Sequence, residues 1–362
     1  MNWLLIFLGF SALIILHEAG HFFAAKATGM RVERFFLFFP PKLFSIKRGE
    51  TEYGIGAIPA GGFVKISGMN PDEELPPEAK GRGYYDQPVW KRIVVIGAGP
   101  AVNIVLAFAI LFVLAFNVNQ VNQTVGDVLP GSPAARVLQP GDEIVAVDGR
   151  RYPNMGLEQR LRRFVDQVGA HECAGRQRNG CLAATPVELT VRRDGQLHTI
   201  SVRPEYDAAI KRTRVGFGYG SEPANFAAGG AADWAADKMW LVASRTATVF
   251  ARLFEEEKRK EVSGIVGVSA TANEVIDIGT NESLLLLAVV SLSLGLINLF
   301  PFLPLDGGHI FWSLVEKVRG RRVPFSVMER AGAVGFVLVI MLFFIGLTND
   351  IGRLTGEGFD VR

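Results

Sequence analysis

Apolar residues in this chain are gathered into a few long runs, separated by stretches that alternate or turn polar. Four runs could each cross about 30 Å of hydrocarbon. They are residues 2–24, 93–116 ("IVVIGAGPAVNIVLAFAILFVLAF"), 283–305 ("SLLLLAVVSLSLGLINLFPFLPL") and 331–348 ("AGAVGFVLVIMLFFIGLT"). The second is the cleanest. The first holds His17, Glu18 and His21, and the third holds Asn298 with prolines near its end. The first run has no basic lead and no small-residue cleavage site, so it is expected to stay as a span.

The intervening stretches read differently. Residues 31–67 are short aromatic and β-branched runs broken by Pro-Pro, "RGE" and "AGG". That punctuation predicts hairpins, and the apolar content predicts a small sheet dipping into the membrane surface. Residues 70–90 ("NPDEELPPEAKGRGYYDQPVW") are polar and proline-rich and are expected to form a mobile loop. In 118–205, "VGDVLPGSPAARVLQPGDEIVAVDGRRY" predicts a strand, a turn, a short helix and a second strand ending at Asp148-Gly149. A helix over 157–168 follows, then two strands joined by the Asp194-Gly195 turn, a strong hairpin signal. Residues 236–262 carry an amphipathic pattern running into "EEEKRKE", which reads as a solvated face. The expected divisions are 1–117, 118–222, 223–282 and 283–362.

Composition supports a membrane protein. Of 362 residues, 49% are hydrophobic, and the net charge of +2 comes without a basic stripe, which argues against nucleic acid as a partner. Lysine and arginine gather between the first two runs (Lys26, Arg31, Arg34, Lys42, Lys47, Arg48, Lys91, Arg92) and after the third (Lys317, Arg319, Arg321, Arg322). The positive-inside rule puts both connections in the cytoplasm and 117–282 outside. On that side Cys173 and Cys181 can pair, or remain two free thiols.

The chemistry begins at "LHEAGH". His17 and His21 are four apart and share one helix face, a spacing that holds Zn²⁺, with Glu18 placed to act as general base on a metal-bound water. Ionisable groups in a span are expensive, so a functional reading outweighs two satisfied helix histidines. A catalytic zinc site takes three protein ligands and an open water position. Asp306, in "NLFPFLPLDGGHIF", is a candidate third ligand, although it could instead cap the next helix; His309 is its rival. "GGFVKI" (61–66) is a candidate edge that could receive an unwound substrate as an added strand, through Gly62, Phe63 and Val64, or it could be a plain hairpin strand. Asn298 could hydrogen-bond the substrate backbone or the oxyanion, whereas Asn103 reads as a helix-to-helix bond.

Two resemblances follow from these motifs. "GSPA…PGDEIVAVDG" resembles a PDZ domain. The membrane-embedded HExxH, the central PDZ-like segment and the late Leu-Asp-Gly, with "GPAVNIVLA" (99–107) and "AGGFVK" (60–65) in support, resemble the site-2 protease family of intramembrane zinc metalloproteases. The chain is similar in particular to the bacterial branch that cleaves membrane-anchored anti-sigma factors. It departs from many of those relatives in having room for one PDZ domain, in "SGI" (263–265) where they carry Ser-Gly-Pro, and in the displaced Pro304. The resemblance implies a polytopic α-helical membrane protein of about four transmembrane helices, with a membrane-associated β-hairpin region and an inserted extracytoplasmic PDZ-like α+β domain. It implies one Zn²⁺ per chain on His17, His21 and Asp306, with Glu18 as catalytic base. Expected partners are single-span membrane protein substrates, peptide C-termini at the PDZ-like domain, and the lipid bilayer. The expected location is the bacterial plasma membrane, with the active site towards the cytoplasm. The competing readings are a metal transporter or sensor, which would not need Glu18, and a silent scaffold presenting the PDZ domain.

Overall fold

In a computed structural model, four helices among the described residues are long and apolar enough to cross a membrane: α1 (Asn2–Ala27), α2 (Val89–Ala115), α6 (Thr280–Asn298) and α8 (Phe325–Thr355). The expected runs are found, with shifted ends. α2 starts at Val89, directly after Pro88, and α8 extends past its run in both directions. α6 stops at Asn298, where the apolar run continues to 305. Pro301 and Pro304 follow, and proline removes the backbone donor that a continuing helix needs. Helices α4 (Ala228–Ala251), α5 (Ile265–Ile278) and α7 (Asp306–Arg319) lie between them among the described residues. The structure describes residues 2–70, 73–252, 255 and 262–355, and "EEEKRKE" lies almost wholly outside them.

Two compact units are present, one holding the residues up to Phe116 and from Phe226 onward, the other Asn117–Asn225. In the first unit α2 is the common neighbour, packing against α1, α4, α6 and α7. Buried alanines let these helices approach, as where Ala235 of α4 and Ala288 of α6 pack on Leu111 of α2 in one cluster. At its entry α2 carries Arg92, whose side chain is 3% exposed and donates to both carboxylate oxygens of Glu316 on α7, at 3.0 and 2.6 Å. The guanidinium also lies over the Tyr85 ring, 5.2 Å from its centroid. A cation this deep needs such a partner, because an unpaired buried charge is strongly destabilising.

The hairpin region is a bent-back pair, β1 (Val32–Arg48) and β2 (Thr51–Ile66). Residues 42–48 of β1 pair with the start of β2, while residues 34–37 pair both with Glu52–Ile55 and with the end of β2, as in Phe36 with Phe63 and Leu37 with Gly62. Residues 62–66 therefore form an edge, and no further strand pairs with them among the described residues. The turn between β1 and β2 is pinned to the end of α1 through Glu50, which accepts from Lys26 and from both Nη1 and Nη2 of Arg82, at 2.8 and 3.0 Å. Arg82 and Lys26 together hold the Glu50 carboxyl at about 2. The polar stretch 73–88 is a loop, as expected, but it is packed down: Tyr84 is 1% exposed, in a cluster with Met30, Val32, Ile66 and Val95.

The second unit is a five-stranded sheet in the order β6-β5-β4-β3-β9, with β3 (Asn119–Val128), β4 (Glu143–Val147), β5 (Val187–Arg193), β6 (Gln196–Val202) and β9 (Phe217–Pro223). A second, two-stranded sheet pairs β7 (Glu205–Asp207) with β8 (Arg212–Arg214), and α3 (Leu157–Gly169) supplies Leu161 and Phe164 to the core around Ile144, Leu189 and Val191. The expected Asp194-Gly195 turn is present with both residues at positive φ, which matches the twist of a tight hairpin. Cys173 and Cys181 form a disulfide.

Asp142, whose side chain is 2% exposed, accepts from Arg193 Nε and Nη2, both at 2.7 Å. Arg193 is the main cause of a carboxyl pKa below the ordinary value. Stability from this lowered pKa is present above the unfolded carboxyl value of about 3.9 and is lost as pH falls through the folded one. Hydrogen exchange in the full chain should show β4 and β5 losing protection as pH drops below about 4. Arg193→Ala should weaken protection at neutral pH, by about 2 kcal/mol, and flatten that pH dependence. An unchanged acid profile in the variant would show that the pair does not set it.

Candidate metal centre and active site

Helix geometry stacks His17 above His21, one turn apart on the face of α1 that turns inward, and both are buried. Their Nε2 atoms are 3.3 Å apart. Asp306 Oδ2 stands 3.2 Å from His17 Nε2 and 3.3 Å from His21 Nε2. Apart from these two nitrogens the buried Oδ2 has no partner. The three atoms make a nearly equilateral triangle. Ligands about 2.0–2.1 Å from a tetrahedral ion are separated by about 3.3 Å, so the residues present fit zinc. Among the described residues, His17, His21 and Asp306 are the group whose ligand atoms so converge.

Each member is placed by an identifiable feature. Asp306 opens α7, and Gly307 and Gly308 let the preceding loop fold back onto that first turn: a Cβ at either glycine would overlap backbone of Leu299–Leu303. A Cβ at Gly99 of α2 would likewise overlap the His21 ring, and one at Gly20 would overlap the Ala98 carbonyl. The two helices therefore touch where the imidazole lies. α2 also holds the outer nitrogens: His21 Nδ1 is 2.9 Å from the Val95 carbonyl oxygen, and His17 Nδ1 is 3.4 Å from the Asn103 amide.

Glu18 lies between the histidines in sequence and faces the hairpin edge. A Cβ at Gly62 would come within 2.9 Å of Glu18 Cγ and 3.3 Å of Ile14 Cγ2, so the missing side chain lets the strand lie on the glutamate. The Val64 backbone faces the Glu18 carboxylate. Phe63, stacked on Phe36, and Val64 line a cleft of about 500 Å³ with Lys65, Ile66, Met69 and Glu73. Gly62 and Val64 are thus brought to Glu18, while Phe63 stacks on Phe36 and Phe39.

Asn298 is the last residue of α6, half-buried, and makes no hydrogen bond to the three-residue cluster. His309 lies farther along α7 than Asp306 and stands outside the converging group. The Asn103 side chain bonds from α2 to α1, its amide reaching His17 Nδ1, while its main-chain carbonyl accepts from Ser291 Oγ at 2.9 Å. Gly99 and the Val95 carbonyl were not singled out by sequence reasoning. The glycine lies in "GPAVN", and small residues where helices meet are the signal that points to it.

A buried His-His-Asp triangle with an adjacent glutamate thus lies among helices long and apolar enough to cross a membrane. The model of peptidase family M50 matches residues 5–342, so the chain belongs to that family. The resemblance to site-2 proteases is borne out, and the chain is a zinc metallopeptidase. It is 30% identical over 351 residues to the Clostridium perfringens protein CPE1693, covering 95% of this chain and 96% of that one. It is 30% identical over 391 residues to the zinc metalloprotease Rip1 of Mycolicibacterium smegmatis, covering 94% and 92%. To the zinc metalloprotease Rip1 of Mycobacterium tuberculosis it is 28% identical, covering 92% and 93%.

The contact between Gly99 and His21 gives a direct test. Gly99→Ala should weaken zinc retention against a chelator by about ten- to a hundredfold, the usual effect of disturbing a ligand's orientation. Gly97→Ala, whose added methyl would meet only Ile310 Cδ1 at 3.9 Å, should retain zinc normally. Equal retention by the two variants would mean that α2 does not position His21.

Proposed function

We propose that this protein is an intramembrane endopeptidase that hydrolyses a peptide bond within or near the transmembrane helix of single-span membrane proteins, with anti-sigma factors and signal-peptide remnants as representative substrates. The observation that carries the reading is the meeting of Glu18 with the Gly62–Val64 edge beside the triangle of His17, His21 and Asp306. These three residues would hold one zinc ion. When bound, it supplies Lewis-acid polarisation of the scissile carbonyl and acidification of a water. Glu18 takes the proton of the attacking water on a carboxylate oxygen and passes it to the leaving amide nitrogen. A metal carrier or a silent scaffold would have no use for this glutamate.

A helical carbonyl is hydrogen-bonded within its own helix, so the substrate must unwind before it is attacked. The outer edge of residues 62–66 can take the unwound backbone as an added strand, which places the scissile bond over Glu18. Asn298 lies at the end of the helix that leads to the Asp306 loop and would bind the substrate backbone there.

The lysine and arginine distribution supports a site towards the cytoplasmic face of a bacterial plasma membrane. The segment 118–222 then lies outside. The Cys173–Cys181 disulfide supports that side, since such bonds persist in oxidising compartments. This PDZ-like domain would act as a size filter or bind trimmed C-termini, and 223–282 would connect it to the C-terminal membrane core at 283–362.

Glu18→Gln separates chemistry from metal binding. It should keep one zinc per chain and reduce cleavage of a detergent-solubilised single-span substrate by about 10²–10⁴-fold. Wild-type cleavage by this variant would remove Glu18 from the mechanism, and loss of zinc would make it a ligand instead.

A further inference from the structure

Asn103 is wholly buried in α2, yet its side-chain oxygen has no hydrogen-bond partner. Its amide nitrogen lies 3.4 Å from His17 Nδ1. An unpaired buried amide oxygen is destabilising, and the two ends of a carboxamide are interchangeable in shape. The partners decide which end belongs at the imidazole. If the amide nitrogen donates to His17 Nδ1, the ring proton is on Nε2. It then points into the triangle, towards Asp306 Oδ2 at 3.2 Å and His21 Nε2 at 3.3 Å. A protonated Nε2 has no lone pair with which to ligate. Turning the amide over presents Oδ1 to His17 Nδ1–H and frees the Nε2 lone pair; either orientation leaves one end of the amide without a partner, so the lone pair needed for ligation decides between them.

We infer that Asn103 is a positioning residue for the metal centre: its side-chain oxygen accepts from His17 Nδ1–H and so fixes the histidine in the tautomer that ligates through Nε2. This rests on the assignment of His17, His21 and Asp306 as zinc ligands. His21 supplies the parallel, since its Nδ1 faces the Val95 carbonyl oxygen at 2.9 Å, an acceptor that can only receive a proton. Val95 and Asn103 lie two helical turns apart on α2, as the two histidines lie one turn apart on α1. One helix thereby sets the tautomer of both ligands of the other. The Ser291 hydroxyl, donating to the Asn103 main-chain carbonyl, ties this part of α2 to α6 without touching the amide.

The test uses the full-length protein in detergent, loaded with zinc alone. With ¹⁵N-labelled histidine, the wild-type spectrum should show His17, assigned by its loss in His17→Ala, with Nδ1 protonated and Nε2 bound to metal. Chelator competition should show Asn103→Leu holding zinc about ten- to a hundredfold less tightly. Asn103→Asp, which keeps an acceptor in place, should recover affinity to within about threefold of wild type. A role confined to helix packing predicts that the two variants are equally impaired, and that outcome would overturn the inference, as would metal on His17 Nδ1 in the wild-type spectrum. His17→Ala and Asp306→Ala separate the two claims. If either keeps wild-type zinc affinity, the ligand assignment fails; if both lose zinc while Asn103→Leu keeps it, only the positioning role fails.

Discussion

Close contact between α1 and α2 is the constraint on which the rest of the structure depends. Two imidazoles and a carboxylate must meet within a triangle of about 3.3 Å sides, inside a bundle with little room for bulky neighbours. Gly20 and Gly99 allow it, because neither position has space for a Cβ. The cost of burying ionisable groups at this depth is offset only if every nitrogen of the two rings has a partner. The Nε2 atoms face Asp306, and the Nδ1 atoms face α2.

The other elements hold their pieces against this contact. Arg92 and Glu316 tie α2 to α7, the helix that Asp306 opens, so the proposed third ligand is anchored to the same helix that contacts His17 and His21. Lys26, Glu50 and Arg82 tie the hairpin turn to the end of α1. That fixes the far end of a strand whose last segment lies on Glu18. The hairpin can reach the glutamate because it folds back on itself, leaving residues 62–66 at an edge. The proposed substrate path and the proposed base are therefore set by one local geometry.

Much of this was legible in the chain. The four apolar runs, the His17-Glu18-His21 helix, the Asp194-Gly195 hairpin and the glycines after Asp306 each carry a period or a turn chemistry that local sequence expresses. The end of α6 was misread because its apolar run continues through Pro301 and Pro304, and hydropathy does not register a missing backbone donor. The doubled-back path of β1 and β2 was hidden for a different reason: its pairings join residues such as Phe36 and Phe63, whose proximity no local pattern encodes. Tyr84 sits in a stretch polar enough to read as a free loop, and only tertiary contact buries it. Asn103 was legible as a helix-to-helix bond, and Gly99 only as part of "GPAVNIVLA". Their contacts with the histidines arise from the crossing of two helices, which sequence spacing on either one does not specify.

The centre of the account is the composition of the metal's ligand set, which X-ray absorption at the zinc edge of the purified, zinc-loaded protein reads directly. The account predicts only nitrogen and oxygen neighbours, at about 2.0–2.1 Å, with the outer-shell scattering of two imidazoles, and the loss of this ordered shell in Asp306→Ala. Outer-shell scattering from three imidazoles, with the shell unchanged in Asp306→Ala, would place His309 on the metal and contradict the triangle described here.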